Sequence, residues 1–234
     1  MKHIKIFSLT SEYETAKSGG TLITPNVSLI NEDNSVRYLP ELEDPTHNGY
    51  KYVDLGLPSG LKWAKCNVGA SSPEEYGLYF AWGETTGYTA DDVTSGVRLF
   101  TQDEYDHGDA YRIYEDLTLE QDAAHVNLGG NWRMPTQAEF QELIDNCDDT
   151  YTDDYNGTGV AGLIFTSRVN GNSVFFPYAG FCEDSSVYRV GETGYTWTAS
   201  WESSNEAYYL WVGSYTFVDK YFRHYGYSVR GVFK

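Results

Sequence analysis

Gly, Asn, Ser and Asp punctuate almost everything after Tyr50, and this limits the chain to short strands joined by turns. The chain has 234 residues, of which 23 are Gly. Two stretches escape the punctuation long enough to read as helices. Residues 118–125 carry Thr118 as a cap and run to Gly129-Gly130. Residues 136–144 start on Thr136, with Glu139 three positions on and Phe140, Leu143 and Ile144 on one face. The tail from Gly194 alternates in strand fashion.

Ahead of this domain, residues 1–40 form a distinct, β-rich segment. Residues 11–17 predict a short helix capped by Ser11. Residues 21–24, 27–30 and 36–39 predict strands, with a hairpin turn at Asn31-Glu32-Asp33-Asn34. Strands this short need partners, so attachment or homotrimerisation through this segment is expected. Residues 41–49 are polar, contain Pro45 and read as a linker, and residues 50–234 form the main domain.

The tail is also where the aromatic side chains concentrate. Aromatic residues make up 16% of the chain, with 21 Tyr and 6 Trp against 2 Met. Tyrosine offers large contact area at low entropic cost, which fits a recognition surface; it also forms strands well, which fits any β-rich protein. In Ala207-Tyr208-Tyr209-Leu210-Trp211-Val212 alternation puts Tyr208, Leu210 and Val212 on one face and Ala207, Tyr209 and Trp211 on the other. With Leu210 and Val212 as core, Tyr209 and Trp211 are expected to point outward. Tyr215, Phe217, Asp219 and Tyr221 continue at spacing two, followed by Phe222, His224 and Tyr225. Such a run in solvent is costly for a monomer and is well suited to binding.

Several function classes are excluded by composition and motif. The formal net charge of −18 would repel phosphate backbones, so nucleic acid is not an expected partner. No apolar run approaches the ~20 residues of a membrane span, and the start lacks the apolar stretch of a signal peptide. Cys66, Cys147 and Cys182 are widely spaced and odd in number, which fits buried free thiols. Asp145, Asp148, Asp149, Asp153 and Asp154 invite a calcium reading, but the stretch from Thr152 lacks the first carboxylate of an EF-hand loop and places Leu163 where its Glu belongs. No nucleophile elbow, phosphate loop or histidine metal spacing occurs. Neither an enzyme nor a cofactor nor a metal site is expected.

Five ordered blocks carry a family resemblance. They are Tyr52-Val53-Asp54-Leu55-Gly56-Leu57-Pro58-Ser59-Gly60-Leu61-Lys62-Trp63-Ala64, then Gly77-Leu78-Tyr79-Phe80-Ala81-Trp82-Gly83-Glu84, then Trp132-Arg133-Met134-Pro135-Thr136. Phe175-Phe176-Pro177-Tyr178-Ala179-Gly180 and Gly226-Tyr227-Ser228-Val229-Arg230 complete the set. Together they resemble the Fibrobacter succinogenes major paralogous domain of Bacteroidetes and their phages. That resemblance implies an α+β, C-type-lectin-like domain akin to formylglycine-generating enzymes. It lacks the late cysteines those enzymes use and the Glu-Pro-Asn or Gln-Pro-Asp triplets of calcium-dependent sugar binders. It also assigns Arg223, Arg230, Trp132, Arg133 and Pro135 to the scaffold.

Some members resemble variable proteins of diversity-generating retroelements, in which adenine mutagenesis of the last gene segment remodels a binding face. From an AAC codon such changes reach Tyr, Phe, His and Asp. Tyr209, Tyr215, Phe217, Asp219, Tyr221, Phe222, His224 and Tyr225 belong to that set, and Trp201, Glu202, Trp211 and Lys220 do not. The expected site therefore comprises Trp201, Glu202, Tyr209, Trp211, Tyr215, Phe217, Asp219, Tyr221, Phe222, His224 and Tyr225. The expected function is a receptor-binding protein of a virion or extracellular surface, recognising a protein or glycan on a gut bacterium. A fixed bacterial adhesin and a structural virion subunit are the alternatives.

Overall fold

The computed structural model describes residues 44–234 and, further upstream, the backbone of two strands, β1 (Ser28–Ile30) and β2 (Val36–Tyr38). The chain divides into two compact units, Met1–Asp44 and Pro45–Lys234. In the first, β1 and β2 pair antiparallel, with Ser28 opposite Tyr38. The helix expected at residues 11–17, the strand at 21–24 and the proposed trimer contact lie outside the described residues.

In the second unit the chain runs through β3 (Thr46–His47), β4 (Tyr50–Asp54) and β5 (Lys62–Asn67), so residues 41–49 contribute a short strand at their end. Helices α1 (Ala90–Thr94), α2 (Gln102–Asp106), α3 (Ala123–Leu128) and α4 (Gln137–Asn146) follow. Then come β6 (Cys147–Thr152), β7 (Gly162–Ser167), β8 (Ser173–Pro177), β9 (Phe181–Glu183) and β10 (Ser186–Tyr188). The chain closes with β11 (Gly194–Trp201), β12 (Glu206–Val212), β13 (Thr216–Phe222) and β14 (Arg230–Phe233). These strands make a four-stranded sheet in the order β14-β5-β4-β3, two three-stranded sheets, β6-β7-β8 and β11-β12-β13, and the β9–β10 hairpin.

The expected α+β, C-type-lectin-like class is corrected by this architecture. Among the described residues strand occupies 38% and helix 18%, distributed over several small sheets with four short α-helices, which is a β-rich fold. The physical reason lies in the punctuation. Each helical signal meets Gly, Asn or a β-forming run within a few turns, so three of the four helices have only five or six residues. The 118–125 stretch begins as a 3-10 turn at Leu119–Gln121, restarts as α3 on an Asp122 cap, and ends at Gly129 in the left-handed region.

Helix α4 forms where its sequence signals place it. The Thr136 hydroxyl accepts the Glu139 N–H at 3.3 Å, and the Glu139 carboxylate accepts the Thr136 N–H at 2.8 Å. The same carboxylate takes two bonds from the Arg133 guanidinium, at 2.7 and 2.6 Å. Phe140 and Leu143 then bury against Trp63, Leu163, Phe165 and Phe176 in one core cluster. A second cluster gathers Tyr79, Phe80, Trp82, Phe100, Trp132, Trp197 and Tyr227. Strand β12 divides its side chains between them, sending Leu210 and Val212 into the first and Ala207 and Tyr209 into the second.

Two buried arginines lock the end of the chain. Arg230 donates to Asn67 Oδ1 (3.0 Å), Ala64 O (2.9 Å), Lys65 O (2.7 Å) and Phe175 O (3.0 Å), and its guanidinium lies 4.4 Å from the Phe176 ring centre. Its partners are neutral, and complete burial pushes its pKa down to about 10. Arg223 donates to Tyr105 Oη (2.9 Å), Ile113 O (2.9 Å), Ser204 O (3.0 Å) and Ala110 O, and stacks over Trp82. Both therefore hold the fold through buried hydrogen bonds. Cys147 and Cys182 are buried free thiols, and Cys66 is a half-buried one.

A planar five-donor fork is needed to reach four acceptors spread over β5 and β8, and an ammonium lacks that geometry. The substitution Arg230→Lys should cost about 3 kcal/mol, because it strands buried acceptors that the lysine cannot reach. Urea unfolding checks this; a loss below about 1 kcal/mol would show that the pocket repacks or admits water.

Candidate functional site

The sheet β11-β12-β13 is an antiparallel meander, so residues directly opposite one another share a face. Its register sets Tyr195, Trp211 and Phe217 in one row, and Trp197, Tyr209 and Asp219 in the next. Trp201, Ala207 and Tyr221 make a third. One face of this sheet thus collects seven aromatic residues and one carboxylate from three strands. The opposite face turns Leu210, Val212 and Val218 toward the cluster that holds α4.

The aromatic face has a floor and a rim. Tyr209 is only 7% exposed and lies among Tyr195 (5.8 Å between ring centres), Tyr227 (5.1 Å) and Trp197 (6.2 Å). Trp197 is fully buried and donates its indole N–H to Phe80 O at 2.8 Å. Tyr225 is 8% exposed, and its hydroxyl donates to Glu183. Burial raises the pKa of Tyr209, Tyr225 and Tyr227, which keeps these floor hydroxyls protonated. Phe217 (40% exposed) and Tyr221 (38%) stand on the rim, with Phe222 and Tyr188 exposed beside them. Trp211 is half-buried and stacks on Phe217, with ring centres 4.9 Å apart.

The expectation that Tyr209 and Tyr225 point into water is therefore corrected. Tyr209, Trp211, Phe217, Asp219 and Tyr221 do share one face, as alternation requires. But β12 is the central strand, and the bridged segments around Phe80 and Tyr227 cover the middle of that face. Alternation distinguishes the two sides of a strand; it says nothing about which side meets solvent when both are covered.

The other expected residues scatter. Trp201 belongs to the aromatic face by register but is half-buried at the end of β11, its main-chain N–H held by Asp116 at 2.8 Å. Glu202 sits with the opposite face, accepting from the Tyr208 hydroxyl and pairing with Lys220. Tyr215, 77% exposed, occupies the turn between β12 and β13 and lines a shallow depression of about 340 Å³ with Cys147, Phe165 and Arg168. A second depression nearby, about 460 Å³, lies between Asp149, Tyr151, Tyr178 and Glu192. His224 is half-buried beside the rim, stacked 5.8 Å from Phe222; burial lowers its pKa against the opposing pull of Glu183, Asp106 and Asp184.

Five aromatic residues of the face and its floor lie outside the expected set: Tyr195, Trp197, Tyr227, Phe181 and Tyr188. Tyr195 could have been found, since Gly194-Tyr195-Thr196-Trp197 alternates as residues 207–212 do. Phe181 and Tyr188 carried no local signal. The β9–β10 hairpin brings them in from a distance, Phe181 lying 5.1 Å from Tyr195 and 5.7 Å from Tyr225. Asp219 is exposed, takes the Lys220 N–H at 2.9 Å, and pairs with no Lys or Arg among the described residues.

A fixed aromatic floor, an exposed aromatic rim and an unpaired carboxylate equip this face to bind an amphipathic or cationic surface. Four of the five aspartates that invite a calcium reading are engaged locally. Asp148 pairs with Arg168, Asp149 accepts from Thr216, Asp154 accepts from Gly159, and Asp145 accepts from Gln141.

The floor and rim should respond differently to truncation. Tyr209→Ser is expected to cost about 3–5 kcal/mol by opening a cavity between the core rings, and Tyr221→Ser under about 1 kcal/mol, both read by thermal or urea unfolding. A second expectation concerns alkali. A phenol whose folded pKa is raised contributes stability that is complete below about 10, the ordinary tyrosine value, and is lost as pH climbs toward the folded value. Tyr209, Tyr225 and Tyr227 should therefore form phenolate only together with the loss of circular dichroism; phenolate absorbance from all tyrosines before unfolding would contradict their burial. No family model, curated protein or solved structure matches this chain.

Proposed function

We propose that this chain is a non-enzymatic receptor-binding protein that grips a protein or glycan on a bacterial surface through the aromatic face of β11-β12-β13. The observation that carries this reading is the pair of exposed rings Phe217 and Tyr221 on one face of β13, each backed by a more buried ring, Trp211 and Tyr225, at 4.9 Å. Rings held from below lose little freedom on binding, so their contact area converts efficiently into affinity. The blocks resembling the Fibrobacter succinogenes major paralogous domain, and the diversified phage proteins among its relatives, support a display role on a virion.

One observation favours a fixed bacterial adhesin as the second reading. Tyr209 and Tyr225 belong to the set reachable by adenine mutagenesis, yet both are buried. A face whose floor cannot vary freely is better suited to one ligand than to a repertoire.

The test is adsorption of the labelled full chain to gut bacterial cells. Replacing Phe217 and Tyr221 with Ser should reduce adsorption about tenfold or more, the effect of losing two aromatic hot spots, while the melting transition stays close to that of the parent chain. Val126→Ser, an exposed apolar position on α3, should leave adsorption unchanged. Equal adsorption by the rim variant, or an oligomer in light scattering that the rim variant dissociates, rejects the proposal.

A further inference from the structure

β13 forms one edge of its sheet. It pairs with β12 alone, from Glu206 opposite Phe222 to Val212 opposite Thr216, without a shift in register, and among the described residues no other strand bonds to it. Such an edge presents unpaired N–H and C=O groups, and soluble proteins usually blunt it with proline, a bulge or a covering segment. β13 contains no proline and no bulge, and Phe217, Asp219, Lys220, Tyr221 and Phe222 are all exposed. Its Lys220, the residue type most used to protect edges, is drawn to Glu202 on the face opposite the aromatic one.

Side-chain chemistry along β13 defines the strand that fits. Phe217 and Tyr221 flank Asp219 on the same face, two positions to either side. An added strand places its own side chains directly opposite these three, so the complement is an apolar residue, a cation and an apolar residue at alternate positions. A second copy of this chain fits poorly. Antiparallel pairing of β13 with itself about its middle residue sets Asp219 against Asp219, between two chains that each carry a net charge of −18.

Resting on the reading of this face as a binding site, and specifying its partner, we infer that β13 takes an extended cationic peptide segment of a partner protein as an added strand. The incoming carbonyl takes the Lys220 N–H now held by Asp219, which frees the carboxylate for the partner's Lys or Arg. Main-chain bonds supply affinity and the alternating side chains supply selectivity. The aromatic rings of Phe217 and Tyr221 favour the same cation from either side.

The experiment uses the full chain and two blocked, fluorescent heptapeptides. Both alternate threonine with tyrosine, a central charge and tyrosine; the charge is arginine in one and glutamate in the other. Anisotropy should show the arginine peptide binding about two- to fivefold more tightly, the range of an exposed ion pair, and Asp219→Lys should invert that order. Hydrogen exchange should slow at the β13 amides when the arginine peptide is bound. Lys220→Pro, which removes an edge donor, should abolish binding of both peptides. If that variant does not fold, the inversion by Asp219→Lys together with exchange protection confined to β13 decides.

Absence of binding, equal affinity for the two peptides, or protection elsewhere overturns the inference. So does a dimer that Lys220→Pro dissociates, which would mean self-pairing. If Lys220→Pro still adsorbs to cells while the rim variant does not, the edge inference falls and the aromatic-face reading stands, with a glycan as the fitting ligand. If both variants adsorb fully, both fall.

Discussion

The fold depends on the burial of β12 from both sides. Leu210 and Val212 enter the cluster built on α4, and Ala207 and Tyr209 enter the one built on Trp82 and Trp197. A strand sandwiched in this way ties two cores into one cooperative unit, and each large side chain withdrawn from water contributes about 1.5–3 kcal/mol. It also fixes the site. The rings that a ligand would meet stand on rings that cannot move without disturbing a core.

The buried guanidinium groups solve the problem that this arrangement creates. The segment from Arg223 to Arg230 must leave the edge strand, cross the floor as Tyr225 and Tyr227, and return to the sheet of β5. Its two ends are pinned by fully buried arginines that satisfy main-chain carbonyls left open by the turns at 110–113 and 203–204 and by the register shift of β5 against β14 at 64–65. Desolvating such a cation is costly, and neutral acceptors offset it only when nearly every donor is used. Arginine, with five donors in a fixed plane, suits the task, and its face also stacks on Trp82 and Phe176.

Local signals were legible in the sequence and long-range ones were not. Thr136 with Glu139, the apolar face of Phe140 and Leu143, and the strand period of residues 207–212 are all short-range patterns, and each appears in the structure as read. The α+β expectation came with the resemblance, whereas the chain itself stops its helices early, at Gly129 or at the β-forming stretch after Asn146. The burial of Tyr209 and Tyr225 depends on which strand is central and on what crosses above it. Neither follows from alternation, since Tyr209 and Phe217 share one face on adjacent strands and yet differ in exposure. Phe181 and Tyr188 reach the face through a hairpin whose placement is set by contacts far away in sequence.

That difference between central and edge strand bears on how such a face can change. Tyr209 opposes Asp219 across one rung of the ladder, so the two residues share backbone geometry, yet one is packed among three rings and the other is in water. Substitution at Asp219, Phe217 or Tyr221 alters charge and shape at small structural cost. Substitution at Tyr209 or Tyr225 removes support from the rings around it. If the last segment of the gene is a target for diversification, useful variation is confined to the edge strand and the turn residues beyond it. New specificities would then arise by repainting β13 against a constant floor, and the aromatic richness of that floor is a requirement of the core before it is a feature of any ligand.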